Sequence, residues 1–317
     1  MNKISVVAEN PESTVVAEYQ GMKTKQTEYQ SEVDLEKAFI KQLQNQAYDY
    51  LPIHSEKDLI DNLRHQLEKL NDYHFTDKEW DTFFKQEIAN PNFGIKEKTK
   101  VIQEDYKKVL YYEKPVDNYQ FRNILLIDKD NIHNNTLQVI NQYETDEGKR
   151  ANRYDATVLV NGLPLVHIEL KRRGVDIKDA FNQINRYQND SFWAGSGLYE
   201  FVQIFVISNG TYTKYYSNTT RQSHISENSG TSSKKGKKTS NSFEFTSWWA
   251  DRKNKPIIDL IDFAKTFFAK HTILNILTRY CVFTSDEMLM VMRPYQIVAT
   301  ESIINKINIS SNYKQYG

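Results

Sequence analysis

One cysteine, Cys281, stands in 317 residues. It has no partner for an internal disulfide, and no CxxC pair exists to hold zinc, so a reducing, cytoplasmic setting is expected. No apolar run reaches the ~18 residues that span a bilayer. The opening MNKISVVAEN lacks the apolar stretch of a secretory signal. The eleven glycines include no G-x-x-x-x-G-K-[ST] phosphate loop; Gly236-Lys237 falls in a low-complexity stretch without strand–helix context. ATP-driven motor chemistry is therefore not carried by these residues. No HExxH, GxGxxG or Ser-His-Asp order emerges. A net charge is missing too, with 41 Lys+Arg against 41 Asp+Glu. That excludes a highly basic nucleic-acid packager and a highly acidic solvating chain.

What is present is a core-forming composition, 39% hydrophobic and 13% aromatic, which excludes wholesale disorder and suits one large domain or two. The neutral total hides an asymmetry. Residues 1–150 carry 20 basic and 27 acidic side chains, residues 151–317 carry 21 and 14. A basic working surface in the second half is one reading; scattered solvated charges are the other.

Along the chain, residues 1–30 are polar and aperiodic and read as an arm. Ser31 with Asp34 gives a capping-box-like helix start, and Leu35, Phe39, Leu43 and Ala47 follow at helical spacing, with Glu36 on the edge of that stripe. Helices are expected at about 56–70 and, after Thr76, at about 77–89. The period then switches to two. Strands are expected at 121–127, 136–143, 154–160 and 165–171, the last two joined through Asn161-Gly162, a strong hairpin signal. A helix at about 176–189 precedes strands at 201–207 and 211–216. Residues 226–242 are rich in Ser, Gly and Lys and read as a solvated loop, although Lys234, Lys235, Lys237 and Lys238 suit phosphates. Helices resume at about 257–270 and 272–280, and a last one starts near Pro294. Trp193, Trp248 and Trp249 are expected to pack.

The hairpin carries the chemistry. Strand side chains alternate faces, so His167, Glu169 and Lys171 share one face. Folding about Gly162 brings Asp155 opposite Glu169. Two adjacent carboxylates repel unless a cation lies between them, and such oxygen ligands suit Mg²⁺. A divalent ion there polarises a phosphodiester and activates water, and Lys171 is placed to orient that water or stabilise developing charge. The E-x-K pattern alone favours an ordinary solvent-facing strand with a Glu–Lys pair; Asp155 at the matching hairpin position brings the nuclease reading level with it.

Asp155 followed by Glu169-Leu170-Lys171 resembles the PD-(D/E)xK nuclease core, with Tyr154 in place of the proline of the motif's name. Gln183 and Tyr187, one helical turn apart, match the QxxxY motif of the RecB-like branch. The stretch RYDATVLVNGLPLVHIELKRRGVDIKDAFNQINRY, together with SNGTYTKYYSNTT, KHTILNIL and VMRPYQIVATESI, is similar to the restriction (R) subunit of type I restriction–modification enzymes, C-family-like, across nearly all of residues 30–310.

That resemblance implies a three-layer α/β/α core with a mixed sheet, plus helical additions at the N terminus and a helical C-terminal segment leading toward a helicase motor that this chain lacks. It implies an arm at 1–30, an endonuclease domain at 31–256 with its core at 119–217, and a linker with the start of a RecA-like domain at 257–317. By the same resemblance Asp155, Glu169 and the Leu170 carbonyl are metal ligands, Lys171 is the catalytic lysine, and Gln183 and Tyr187 support the site. Glu36 is a candidate further carboxylate. Arg172 and Arg173, with Lys171, are candidate DNA contacts. Arg293 and Gln296 resemble an adenine-reading motif. The cofactor implied is Mg²⁺, with ATP and S-adenosylmethionine needed only by a full complex. The partners are double-stranded DNA and the methyltransferase (M) and specificity (S) subunits, with no membrane. The rival readings are a non-catalytic docking module with a nuclease fold, a motor fragment, and a folded nuclease that cuts only within its complex.

Overall fold

The structure is a computed structural model that describes residues 13–21, 30–113, 119–145, 148–149, 151–219 and 241–314. Its centre is a six-stranded mixed sheet: β1 (Asp49–Tyr50), β4 (Leu137–Thr145), β5 (Asn152–Val160), β6 (Leu163–Leu170), β7 (Ile204–Ser208) and β8 (Thr213–Ser217), side by side in that order. A separate ribbon pairs β2 (Lys107–Glu113) with β3 (Tyr119–Leu125). A short one pairs β9 (Cys281–Phe283) with β10 (Leu289–Val291).

The β5–β6 hairpin turns on two residues. Asn161 and Gly162 both have positive φ, 51° and 83°, the combination a type I′ turn requires. Glycine is needed for a second reason: a Cβ at Gly162 would lie 2.6 Å from the Leu63 Cα in helix α2 (Glu56–Asn71). Pro164 sits inside β6 rather than in the turn, opposite Leu159, where the register slips by one. Past that slip Val158 pairs Val166, Thr157 pairs His167 and Ala156 pairs Ile168. All eight residues of β6 are buried, so the solvent-facing-strand alternative does not hold. A strand covered on both faces has no polar side to show to water.

The cover comes from two helical layers. The face shared by His167, Phe205 and Tyr216 lies under α5 (Ile177–Asp190), whose Phe181 ring is 5.1 Å from Tyr216. The other face, which includes Tyr215, meets Phe267 of α6 (Leu260–Phe267) at 5.1 Å. There Phe268 in turn packs 5.4 Å from Phe39 of α1 (Glu32–Gln44). The result is the three-layer mixed α/β core expected from the sequence. The link β6–α5–β7 joins parallel neighbours, the connection that needs a helix-length crossover.

Several boundaries differ from expectation. Helix α1 is capped by Ser31, whose side chain accepts from the Asp34 N–H. It ends before Ala47, which is exposed at φ 64°; a small apolar residue past the last turn reads as one more member of the stripe. The helix after Thr76 is α3 (Asp77–Phe83), continued by a π turn over Phe84–Ile88. Helix α4 (Ile95–Gln103), strand β2 and the two-residue edge β1 were not expected. The segment expected as a strand from 201 begins instead with a 3-10 turn, Leu198–Phe201. Helices α7 (Lys270–Arg279) and α8 (Pro294–Lys314) complete the chain.

The expected polar arm is not free where it is described. Val15 and Tyr19 are buried, and the Tyr19 hydroxyl donates to Asp262 at 2.6 Å. Trp249 is buried as expected, but Trp193 and Trp248 are 47% and 36% exposed, which corrects their assignment to packing. The lysines 234, 235, 237 and 238 lie outside the described residues. Among the described residues no helix is long and apolar enough to cross a membrane.

Candidate active site

The ladder that ends at Ala156–Ile168 carries Asp155 opposite Glu169. The charges of the two carboxyl groups act on one another. The Leu170 N–H donates to Asp155 Oδ2 at 2.8 Å. The Lys171 ammonium donates to Glu169 Oε1 at 3.2 Å, and its backbone N–H is fixed on the Ser208 carbonyl of β7. One short strand end thus delivers a carboxylate, an amide donor and an ammonium to one point. Glu169 is wholly buried and Asp155 partly so.

Burial and mutual repulsion set the electrostatics. Asp155 is pushed well above the usual carboxylate range, by burial first and by the Glu169 charge second, against the Leu170 amide and Lys171. Glu169 is raised to about 7, again by burial first, with Lys171 opposing. Without a cation the pair therefore holds a proton near neutral pH. His167, fully enclosed on the same face, is lowered to about 4 by burial and is a neutral imidazole; its Nδ1 meets Thr157 Oγ1 at 3.2 Å. Its Nε2 lies 3.6 Å from Glu169 Oε2, and both atoms are buried with no hydrogen-bond partner. Unpartnered buried polar atoms are costly, and here two converge beside a repelling carboxylate pair.

That arrangement fits a divalent cation. Among the described residues no group of three or more His, Cys, Asp or Glu side chains has metal-binding spacing, so a closed all-protein cage is not formed. Two carboxylates with an open shell are what Mg²⁺ commonly uses, the rest being water and substrate oxygens. The residues that would hold such an ion are Asp155 and Glu169, whose Oε2 is orphaned.

Gln183 and Tyr187 do come together. The Gln183 amide donates to the Tyr187 hydroxyl at 2.5 Å, and that hydroxyl donates to the Arg153 carbonyl at 3.0 Å. The pair ties α5 to β5 two residues before Asp155, and both site carboxylates act on the Tyr187 hydroxyl electrostatically. Glu36 is engaged elsewhere. Asn141 donates to it at 2.6 Å, and the Gln142 amide donates as well. The carboxylate that α1 sends to the site is Glu32, with Oε1 3.8 Å from the Lys171 ammonium. Its sequence signal was its place one turn before Glu36, on the same helical face. Arg172 is exposed. Arg173 is occupied, donating to Gln30 at 2.7 Å and to Thr211 at 3.0 Å, with Asp259 at 3.4 Å. Gln296 accepts the Arg293 N–H at 2.8 Å, so its side chain caps the start of α8.

Comparison with known proteins follows the same lines. Residues 29–224 match the family described as the type I restriction enzyme R protein N terminus. The chain is 47% identical over 283 residues to the endonuclease subunit of the type I restriction enzyme EcoprrI of Escherichia coli, covering 89% of this chain and 84% of that protein. It is 35% identical over 290 residues to a type I restriction enzyme endonuclease subunit of Staphylococcus saprophyticus, covering 90% of this chain but 28% of that one. A putative type I restriction enzyme endonuclease subunit of Methanocaldococcus jannaschii is 31% identical over 147 residues, 42% of this chain and 13% of that protein. The chain therefore spans most of one relative and about a quarter of another. With the family match covering more than half of its length, the chain belongs to the type I restriction enzyme R proteins, whose N-terminal region it matches.

Proposed function

We propose that this chain is the Mg²⁺-dependent DNA endonuclease region of a type I restriction R subunit, residues 31–256, with 257–317 leading toward a motor domain. The observation that carries the reading is the Asp155–Glu169–Lys171 cluster, with an orphaned carboxylate oxygen and a pair that cannot ionise fully without a cation. The endonuclease-subunit names of the relatives support it.

In this reading Asp155, Glu169 and the Leu170 carbonyl hold the ion, which when bound lowers the pKa of a water and polarises the phosphodiester. The Leu170 N–H fixes the Asp155 rotamer. Lys171, steadied by Glu169 and Glu32, sets its ammonium against the negative charge that builds on the phosphoryl oxygens. Gln183 and Tyr187 position β5 through the Arg153 carbonyl. The partners in this reading are double-stranded DNA and the M and S subunits, with ATP and S-adenosylmethionine serving the full complex. Its setting is the cytoplasm.

The test is cleavage of supercoiled plasmid by the assembled R, M and S complex with ATP. Asp155→Ala and Lys171→Ala are each expected to lower cutting at least about a hundredfold, the scale of losing one preorganised charge at a reacting centre. Undiminished cutting by either variant defeats the assignment. Binding of Mg²⁺ or Mn²⁺ followed by calorimetry is expected for the unaltered chain and absent in Asp155→Ala.

A further inference from the structure

We infer that a cation–aromatic platform beside the carboxylate pair, made of Lys214, Tyr212 and Trp248, seats the DNA flanking the cut. This rests on the nuclease reading above. Glu169 pairs with Ile207, and Ile207 with Lys214. Side chains in register across a sheet share a face, so Asp155, Glu169, Ile207 and Lys214 form one row on one face. Strands lie ~4.8 Å apart, which places the Lys214 Cα about 10 Å from that of Glu169, roughly three base-pair rises along a duplex.

Lys214 has what a phosphate contact needs. It is half-buried and among the described residues pairs with no carboxylate. Its ammonium donates to Thr246 Oγ1 at 2.9 Å and stands 4.7 Å from the Trp248 ring centre and 4.8 Å from that of Phe243. Two rings and a hydroxyl preorganise this cation without neutralising it. Tyr212 and Trp248 lie edge to face at 6.1 Å, and both are substantially exposed, 46% and 36%. Large exposed rings set against a cation are the makings of a base-stacking surface. The turn that carries Tyr212 is locked to the site, since Arg173 donates to Thr211. The platform therefore holds a fixed position relative to Lys171. Lys214 takes a phosphate of the strand being cut, and Trp248 with Tyr212 takes an unpaired base next to it.

The experiment is fluorescence anisotropy of the 317-residue chain with a labelled duplex carrying a single-stranded tail, in EDTA, over a salt series, with the blunt duplex as control. The tailed DNA is expected to bind more tightly. Trp248→Ala is expected to weaken it about tenfold and abolish the preference, and Trp248→Phe to retain most of both. Lys214→Gln is expected to reduce the salt slope by roughly 0.7–0.9, one phosphate contact, and Lys214→Arg to restore it. Unchanged affinity and slope in both Trp248→Ala and Lys214→Gln overturn the inference, as does absence of measurable DNA binding by the unaltered chain. Normal cleavage by Asp155→Ala sinks the nuclease reading instead, so the two failures are distinct.

Discussion

Glu169 shows how one residue's surroundings set its chemistry. Its folded pKa of about 7 lies above its ordinary 4.5, so between those values the native state binds more protons than the unfolded one. Metal-free stability must then fall as pH rises from about 4.5 to 7. Glu169→Gln, which keeps an acceptor for Lys171 and removes the titrating charge, is expected to stabilise the metal-free chain at pH 8 by as much as ~3 kcal/mol. The effect should vanish at pH 4, where the native acid is protonated. Urea unfolding in EDTA at both pH values decides it, and equal differences at the two would reject the buried-acid reading. The two neighbouring arginines make a second contrast. Arg173 ties Gln30 and Thr211 together, so Arg173→Ala is expected to cost about 1–2 kcal/mol of stability. Exposed Arg172 is expected to cost almost none when changed to Ala and to weaken DNA binding; urea midpoints and anisotropy separate the two roles.

At the scale of elements, the β5–β6 hairpin explains why the site forms at all. A two-residue turn sets Val160 against Leu163, and the one-residue slip at Leu159–Pro164 then sets Ala156 against Ile168, which brings Asp155 opposite Glu169. Gly162 is the pivot, with φ 83° and the α2 backbone against it. Gly162→Ala is expected to destabilise by at least about 1–2 kcal/mol from the left-handed backbone alone, and more as α2 is displaced; a urea midpoint within error of the unaltered chain would contradict this. Helix α5 braces the same hairpin from above. Tyr187→Phe removes the hydroxyl that reaches the Arg153 carbonyl while keeping the ring. It is expected to lose about 1 kcal/mol of stability and a larger share of plasmid cutting by the complex, because β5 is no longer held. Equal losses in both would mark Tyr187 as ordinary packing.

At the scale of the whole molecule, distant parts of the chain close on one another. The N-terminal segment at 13–21 packs on the elements after residue 250: Tyr19 on Asp262, and the Thr14 carbonyl receiving the Thr272 hydroxyl. Tyr19→Ala is expected to cost roughly 3 kcal/mol, the usual scale for removing a buried aromatic, and a shift of the urea midpoint measures it. At the other end α8 exposes Ile303, Ile304, Ile307 and Ile309. The basic excess of the second half takes on meaning at this scale as well, since Lys171 pairs with Glu169, exposed Arg172 follows it, and Lys214 lies two strands away in the same row.

Much of this was legible in the sequence. The switch from helical to strand period, the Asn-Gly turn, the Ser31 cap and the shared face of Glu169 and Lys171 follow from local rules of backbone geometry and side-chain alternation, whereas the facing of Asp155 and Glu169 also needs the one-residue slip at Leu159–Pro164. Contacts between residues far apart in the chain were not legible. Glu36 carries the same kind of charge as Glu32, and only the packing of α1 against β4 gives Glu36 to Asn141 and Gln142 and leaves Glu32 beside Lys171. Lys214 looks like any strand lysine until β7 and β8 place it in the row of the carboxylates. The sequence by itself determined the hairpin and the chemistry it bears, because turn conformation and strand alternation act over a few residues. Tertiary structure alone decided burial, and with it the weakened acidity of Asp155 and Glu169 and the choice among like-charged neighbours, because desolvation depends on everything that packs around a group.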